Sequence, residues 1–254
     1  MDTPGVKVGF TELETDEEPP THLTTAFRGA AARGNYLAAD RLDAQFACKE
    51  VCRWMSKPTT QAWKALTRLC RYFNSAPRLV YEFKQQSVSS TDVYTDTDWA
   101  GCFKTRKSTS GGAIMRGGHL LKRWSSTQQT VSLSSGEAEL KGIVKGAAEG
   151  IGMQNIAKDL SIHYDMHLFT DSSAAMGMVA RKRMGTVRHI EVGELWIQDA
   201  VRNKVLTVNK VKGDDNPADI LTKYIEHGKI HQHCHGMRLV PEGGRPDSAP
   251  ATTS

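Results

Sequence analysis

The apolar pattern of this chain changes period once, and that change limits the folds open to it. Up to about residue 84 the apolar residues recur at three- and four-residue intervals. Beyond the polar stretch from Gln85 to Thr91, short strand-like runs alternate with helical ones. A chain of 254 residues with one such boundary can hold one sizeable core and a smaller appendage. Before the boundary, Ala44, Ala47, Cys48, Val51, Cys52 and Met55 fall on one helical face, and Trp63, Leu66, Leu69, Cys70 and Phe73 do so after Pro58. This predicts a small helical hairpin within residues 24–85. Residues 1–23 are acidic and aperiodic and read as a disordered lead-in. Residues 227–254 are rich in His, Gly and Pro and read as a flexible tail.

After the boundary, Val93 to Asp96, Gly111 to Arg116 and His119 to Ser125 read as strands, the last two joined by a Gly117-Gly118 turn. A long helix follows. Ser134 and Glu137 form a capping box at its start, and Leu140, Ile143, Val144, Ala147 and Ile151 supply its apolar face. Met166 to Thr170 reads as a strand, Ser172 to Ala180 and Ile190 to Arg202 as helices, Val205 to Val211 as a strand and Pro217 to Tyr224 as a last helix. Three meandering strands followed by alternating helix and strand predict an α/β fold, a mixed sheet with helices on both faces.

The net charge of +5 is unevenly spread: residues 1–20 carry six acidic side chains against Lys7, a net of -5, which leaves +10 for the rest. A basic body suits a polyanionic partner. No apolar run reaches the roughly 18 to 20 residues needed to span a bilayer, and the N-terminus lacks a signal-peptide pattern, which points to an intracellular protein. The five cysteines have no framework spacing and suit reduced thiols. Cys48 and Cys52 with His231, His233, Cys234 and His235 match no standard zinc module.

Four acidic residues stand in contexts where a fold can converge distant side chains. Asp96 and Asp171 end strand-like runs, while Glu139 and Asp219 lie in the first turns of helix-like ones. A carboxylate cluster of that kind binds hard cations such as Mg2+, and two such ions suit phosphodiester hydrolysis. Glu137 is followed at helical spacing by Lys141, whereas Glu139 is followed by Gly142, Ile143 and Gly146, so Glu139 points toward the core edge and Glu137 toward the cap. Asp96 and Asp98 share one strand face, and periodicity leaves both open. Asp171 also suits a helix N-cap.

The residues resemble a specific family. The blocks are Tyr94-Thr95-Asp96-Thr97-Asp98-Trp99-Ala100-Gly101, Arg106-Lys107-Ser108-Thr109-Ser110-Gly111-Gly112, and Trp124-Ser125-Ser126 through Gln129 to Ser135-Gly136-Glu137-Ala138-Glu139. Further on come Asp171-Ser172-Ser173-Ala174, Arg188-His189-Ile190-Glu191-Val192 and Pro217-Ala218-Asp219-Ile220-Leu221-Thr222-Lys223. In this order they are similar to the ribonuclease H domain that closes the polyprotein of copia-type LTR retrotransposons. Pro58 to Ala65 with Leu69 to Phe73 looks like the end of the reverse-transcriptase region just upstream.

The resemblance implies a ribonuclease H-like fold over residues 91–226, a five-stranded mixed sheet preceded by the helical segment. It implies an acidic tetrad of Asp96, Glu139, Asp171 and Asp219 holding two Mg2+ ions, with Mn2+ able to substitute. It implies cleavage of the RNA strand of an RNA–DNA hybrid to a 3'-hydroxyl and a 5'-phosphate, beside the reverse-transcriptase domain of the same polyprotein, in the cytoplasm or a virus-like particle. Candidate contacts to the nucleic acid are Lys104, Arg106, Lys107, Ser108 and Thr109, with Arg181, Lys182 and Arg183. Two departures stand out: Ser172 replaces the Asn usual after the third carboxylate, and Lys212 to Asn216 lacks the His found before the last one in many cellular ribonucleases H, leaving His189 as the nearest upstream histidine. No Tyr-x-Asp-Asp polymerase motif occurs. A catalytically degenerate binding or connection module is the competing assignment.

Overall fold

The computed structural model describes residues 1–9, 12, 16–18, 20–181 and 192–244. They fall into two compact units, Met1–Glu82 with Tyr224–Ser254, and Phe83–Lys223.

The first unit begins with helices α1 (Thr21–Leu37), α2 (Leu42–Cys52) and α3 (Thr60–Ser75), then strand β1 (Arg78–Tyr81). There are three helices where the sequence pattern predicts two. The additional one, α1, buries Phe27 and Ala31 but is otherwise rich in Ala, Gly and Thr and has no side-chain cap, so its apolar stripe has little contrast in sequence. Thr59 starts α3 by accepting the Ala62 N–H at 3.2 Å. Phe27, Ala47, Val51, Leu66 and Leu69 form the shared core.

In the second unit β2 (Ser90–Asp98), β3 (Thr109–Arg116) and β4 (His119–Thr127) form an antiparallel meander. Helix α4 (Ser135–Asp159) leads to β5 (Asp165–Thr170), then α5 (Ser173–Val179), α6 (Trp196–Arg202), β6 (Thr207–Lys210) and a 3-10 helix, Pro217–Leu221. The sheet order is β4-β3-β2-β5-β6, with β2, β5 and β6 parallel. This is a ribonuclease H-like fold, with β2 in the middle of the sheet.

The two faces of β2 are treated differently. Thr91, Val93, Thr95 and Thr97 are buried, with α4 lying over this face, while Asp92 and Tyr94 on the other are only half-buried. Gly142, Gly146 and Gly150, one per turn of α4, allow this close seating: a Cβ on Gly142 would stand 2.7 Å from Thr97 Oγ1, and those on Gly146 and Gly150 would come closer still to Thr95 and Met166. Val93, Ile114, Leu140, Ile143, Leu168 and Ile197 fill the interior of this unit.

The first unit closes with α7 (His227–Gly236) and β7 (Leu239–Glu242), which pairs with β1 from Arg78↔Glu242 to Tyr81↔Leu239. A loose tail from residue 227 is therefore not what residues 227–242 form. Ile230, Cys234 and Met237 recur at helical spacing and are buried together with His233 and Leu239, but histidines and glycines between them mask the pattern in sequence. The lead-in is likewise engaged at points, with Pro4 and Gly5 buried and Arg68 donating to Thr3 Oγ1 at 2.7 Å.

Candidate metal centre

The alternation along β2 breaks at its C-terminal end. Asp96 belongs to the less covered face, yet it is only 3% exposed. The cause is the 3-10 helix, which crosses the sheet beside Gly111, the residue paired with Asp96 on β3. A Cβ on Gly111 would stand 2.6 Å from Thr222 Cγ2 and 2.8 Å from Leu221 Cβ, so a glycine there permits the crossing. Asp98 is directed elsewhere: Gly101 leaves space for its carboxylate within its own turn. Tertiary covering thus separates two aspartates that strand periodicity leaves equivalent.

Asn216 fixes the 3-10 helix. It is fully buried, donates from Nδ2 to the carbonyl of Thr95 at 2.9 Å and accepts the Ala218 N–H on Oδ1 at 3.2 Å, with Pro217 at the first helical position. Asn216→Ala orphans a buried carbonyl next to Asp96, and we expect a loss of about 1–3 kcal/mol, read by urea denaturation against the wild-type chain. An unchanged midpoint would show that the bond to Thr95 does not anchor this turn.

The start of α4 sorts the two glutamates. Ser134 Oγ accepts the Glu137 N–H at 3.2 Å, while the Glu137 carboxylate accepts the Leu133 N–H at 2.7 Å and pairs with Lys141 at 2.8 Å. Glu137 is occupied by the cap. Glu139, half a turn on, is 8% exposed, and its Oε2 is buried with no hydrogen-bond partner. Gln128 donates to the carbonyl of Ala138 at 2.8 Å and Thr97 Oγ1 to the same carbonyl at 3.3 Å, which locks this turn of helix to the sheet.

Asp171 follows β5. It is not the helix cap: Ser172 accepts the Ala175 N–H at 3.2 Å and caps α5, leaving the Asp171 carboxylate uncommitted to that turn. One carboxylate oxygen from each of Asp96, Glu139 and Asp171 lies within 4.8 Å of the other two, the only such group of three or more His, Cys, Asp or Glu among the described residues. Asp219 stands beside this group rather than in it. It is bridged by Lys223, whose Nζ is 3.0 Å from Asp219 Oδ1 and 3.8 Å from Asp96 Oδ2, and Thr222 donates its hydroxyl to Asp96 Oδ2.

Burial and mutual repulsion set the electrostatics. The Glu139 carboxyl is pushed up to about 9, first by burial and then by the charges of Asp96 and Asp171. Burial and the Asp96 charge push Asp219 up to about 6 and also raise Asp171. Burial works against the Lys223 charge, yet Asp96 and Asp219 hold its pKa above the ordinary value. Crowded carboxylates with an unpartnered buried oxygen make a site that is costly until a cation enters. An all-oxygen donor set of this kind fits a hard divalent ion.

The remaining candidates divide. Lys104, Arg106 and Arg181 are exposed and Lys107 half-buried. Ser108 and Thr109 do not fit the expected contact with phosphate, because β3 begins at Thr109, earlier than its apolar run indicates, and Ser108 just before it is buried with it. Ser108 Oγ accepts the Ala100 N–H at 3.1 Å, Thr109 pairs with Asp98, and both are buried. Lys182, Arg183 and His189, with most of the Arg188 to Val192 block, lie outside the described residues. Trp124 is buried, while Trp99 is half-exposed and anchored by its indole N–H to the Ser132 carbonyl at 3.0 Å. Sequence reading passed over Asn216, Thr222 and Lys223 as functional residues; the Asn-Pro pair that opens the last helix was the available signal for the first.

Two curated relatives extend over most of the chain. It is 29% identical over 202 residues to the retrovirus-related Pol polyprotein from transposon RE2 of Arabidopsis thaliana, a match covering 78% of this chain and 14% of that one. It is also 29% identical over 228 residues to the corresponding polyprotein from transposon RE1 of the same plant, covering 87% and 16%. Its homologues are Pol polyproteins of copia-type retrotransposons. It spans about one seventh of the length of these Pol relatives. No protein-family profile matches it. Among solved structures it is similar to LC11-RNase H1, isolated from compost by a metagenomic approach, with a TM-score of 0.42 and 15% identity over 53% of this chain and 93% of that one. Among the described residues, no helix is long and apolar enough to cross a membrane.

Proposed function

We propose that the unit Phe83–Lys223 is a metal-dependent endonuclease that hydrolyses the RNA strand of RNA–DNA hybrids, working beside the reverse-transcriptase domain of a Pol polyprotein in the cytoplasm or a virus-like particle. The observation that carries this reading is the meeting of Asp96, Glu139 and Asp171 around the unpartnered Glu139 oxygen. These three, with Asp219 beside them, would hold two Mg2+ ions, for which Mn2+ can substitute. Such ions supply Lewis acidity to the attacking water and to the departing 3'-oxygen. The protein's own share is to hold the acids at fixed spacing: Thr222 orients Asp96, the Gln128 and Thr97 bonds to Ala138 hold the turn that carries Glu139, and Ser172 takes over the capping role that Asp171 would otherwise fill.

Discrimination of the RNA strand rests on its 2'-hydroxyls, and Lys104, Arg106, Lys107 and Arg181 offer charge for backbone phosphates. The test is cleavage of a labelled hybrid by the purified chain with Mg2+, Mn2+ or EDTA. We expect ion-dependent cutting of the RNA strand that leaves a 3'-hydroxyl. Binding of the hybrid without cleavage under any ion would instead identify a degenerate binding module.

A further inference from the structure

We infer that Lys223 is a built-in counter-ion of the carboxylate cluster, which an incoming divalent ion must displace, so that this lysine sets the metal concentration the centre requires. The inference rests on the metal-dependent reading above.

Three observations carry it. The Lys223 ammonium bridges two of the four acids, at 3.0 Å from Asp219 and 3.8 Å from Asp96. Asp219, the acid it holds more closely, is the one that stands outside the three-oxygen group formed by Asp96, Glu139 and Asp171. The lysine therefore bridges Asp219 and Asp96, and its charge performs there the neutralising task of a metal ion. Finally, the Lys223 side chain is 44% exposed, on a flexible four-carbon stem, so it has an open route out of the site.

An ammonium 3.0 Å from one of these carboxylates and 3.8 Å from another would be repelled by a dication held on the same carboxylates, even under water-like screening. Occupation of the centre by lysine and by metal are therefore competing states. An ordinary exposed ion pair would have no such consequence.

The experiment measures Mg2+ binding to the full chain by titration calorimetry and by thermal melting across a Mg2+ series, for wild type, Lys223→Met and Lys223→Arg. Lys223→Met should bind Mg2+ about tenfold more tightly or better, and should melt lower than wild type in EDTA, where its acids have lost their counter-ion. Lys223→Arg, whose planar fork grips two carboxylates more firmly, should need more Mg2+ than wild type. Equal or weaker Mg2+ binding by Lys223→Met overturns the inference. If that variant does not fold, Lys223→Arg decides, and an Mg2+ affinity equal to or tighter than wild type overturns it. Wild-type protein that neither binds Mg2+ nor cuts the hybrid sinks the nuclease reading as well. Wild-type protein that does both, with Lys223→Met binding Mg2+ as wild type does, removes this inference alone.

Discussion

Asp96→Asn should abolish Mg2+-dependent cleavage of an RNA–DNA hybrid, lowering the rate by at least about 10³-fold, while leaving the protein folded. The substitution keeps the shape of a buried side chain in the centre of the sheet and removes one negative charge from a group of three. Fold and activity are separable here. Asp96 bears on stability through the Thr222 hydroxyl, the longer contact to Lys223 and repulsion of the neighbouring carboxylates; an amide oxygen can still accept from that hydroxyl, and loss of the charge relieves the repulsion. Circular dichroism should therefore match wild type and the metal-free melting temperature should not fall, while the labelled RNA strand remains intact. Near-wild-type cleavage by the Asn variant would remove Asp96 from the mechanism and the nuclease reading with it. Asp98→Asn provides the contrast, since Asp98 turns into its own loop, and it should retain cleavage.

The second large effect concerns stability and pH. The Glu139 carboxyl is raised from 4.5 to about 9, so between those values the metal-free folded state holds a proton that the unfolded chain has released. Stability contributed by that proton is fully present below about 4.5 and is lost as pH rises through 9. Asp219, raised from 3.8 to about 6, acts in the same direction over a lower window. In EDTA the chain should thus become less stable from pH 5 to pH 9, and Mg2+ should restore more stability at pH 8 than at pH 6. Glu139→Gln should flatten most of this slope and raise metal-free stability at pH 8 by on the order of 2–4 kcal/mol, seen as a melting temperature several degrees higher. It should also lose the stabilisation by Mg2+. A wild-type chain whose metal-free melting temperature is level or rising over this range would mean that Glu139 is charged and satisfied without metal.

The long-range plan of the second unit was legible in the sequence, because runs such as Met166 to Thr170 have one interpretation once their neighbours are assigned. The different surroundings of Glu137 and Glu139 were legible too: the spacing to Lys141 marks the glutamate that serves the cap, and the Lys141 to Glu137 contact at 2.8 Å is its physical expression. The choice between Asp96 and Asp98 was not legible from period, because it depends on which of them a segment more than a hundred residues later covers. The burial of Ser108 and Thr109 escaped notice for a related reason: strand ends are set by pairing partners, here Thr127 opposite Thr109 and the Gln128 N–H donating to the Ser108 carbonyl, rather than by local preference. Helix α1 and the α7 to β7 segment were missed because Ala, Gly and His give weak contrast between inside and outside.

Thr222, which gives Asp96 its hydroxyl donor, and Asn216, which pins the same strand at Thr95, come more than 120 positions after the residues they hold. During synthesis, Asp96 emerges from the ribosome long before either of them. A growing chain, or one cut short before residue 216, has the first carboxylate but neither of the parts that fix it. Such a product lacks Asp219, Thr222 and Lys223, and with them the groups that surround Asp96 in the folded unit. Placing the clasp at the far end of the domain thus postpones assembly of the carboxylate cluster until the unit has been synthesised through Lys223.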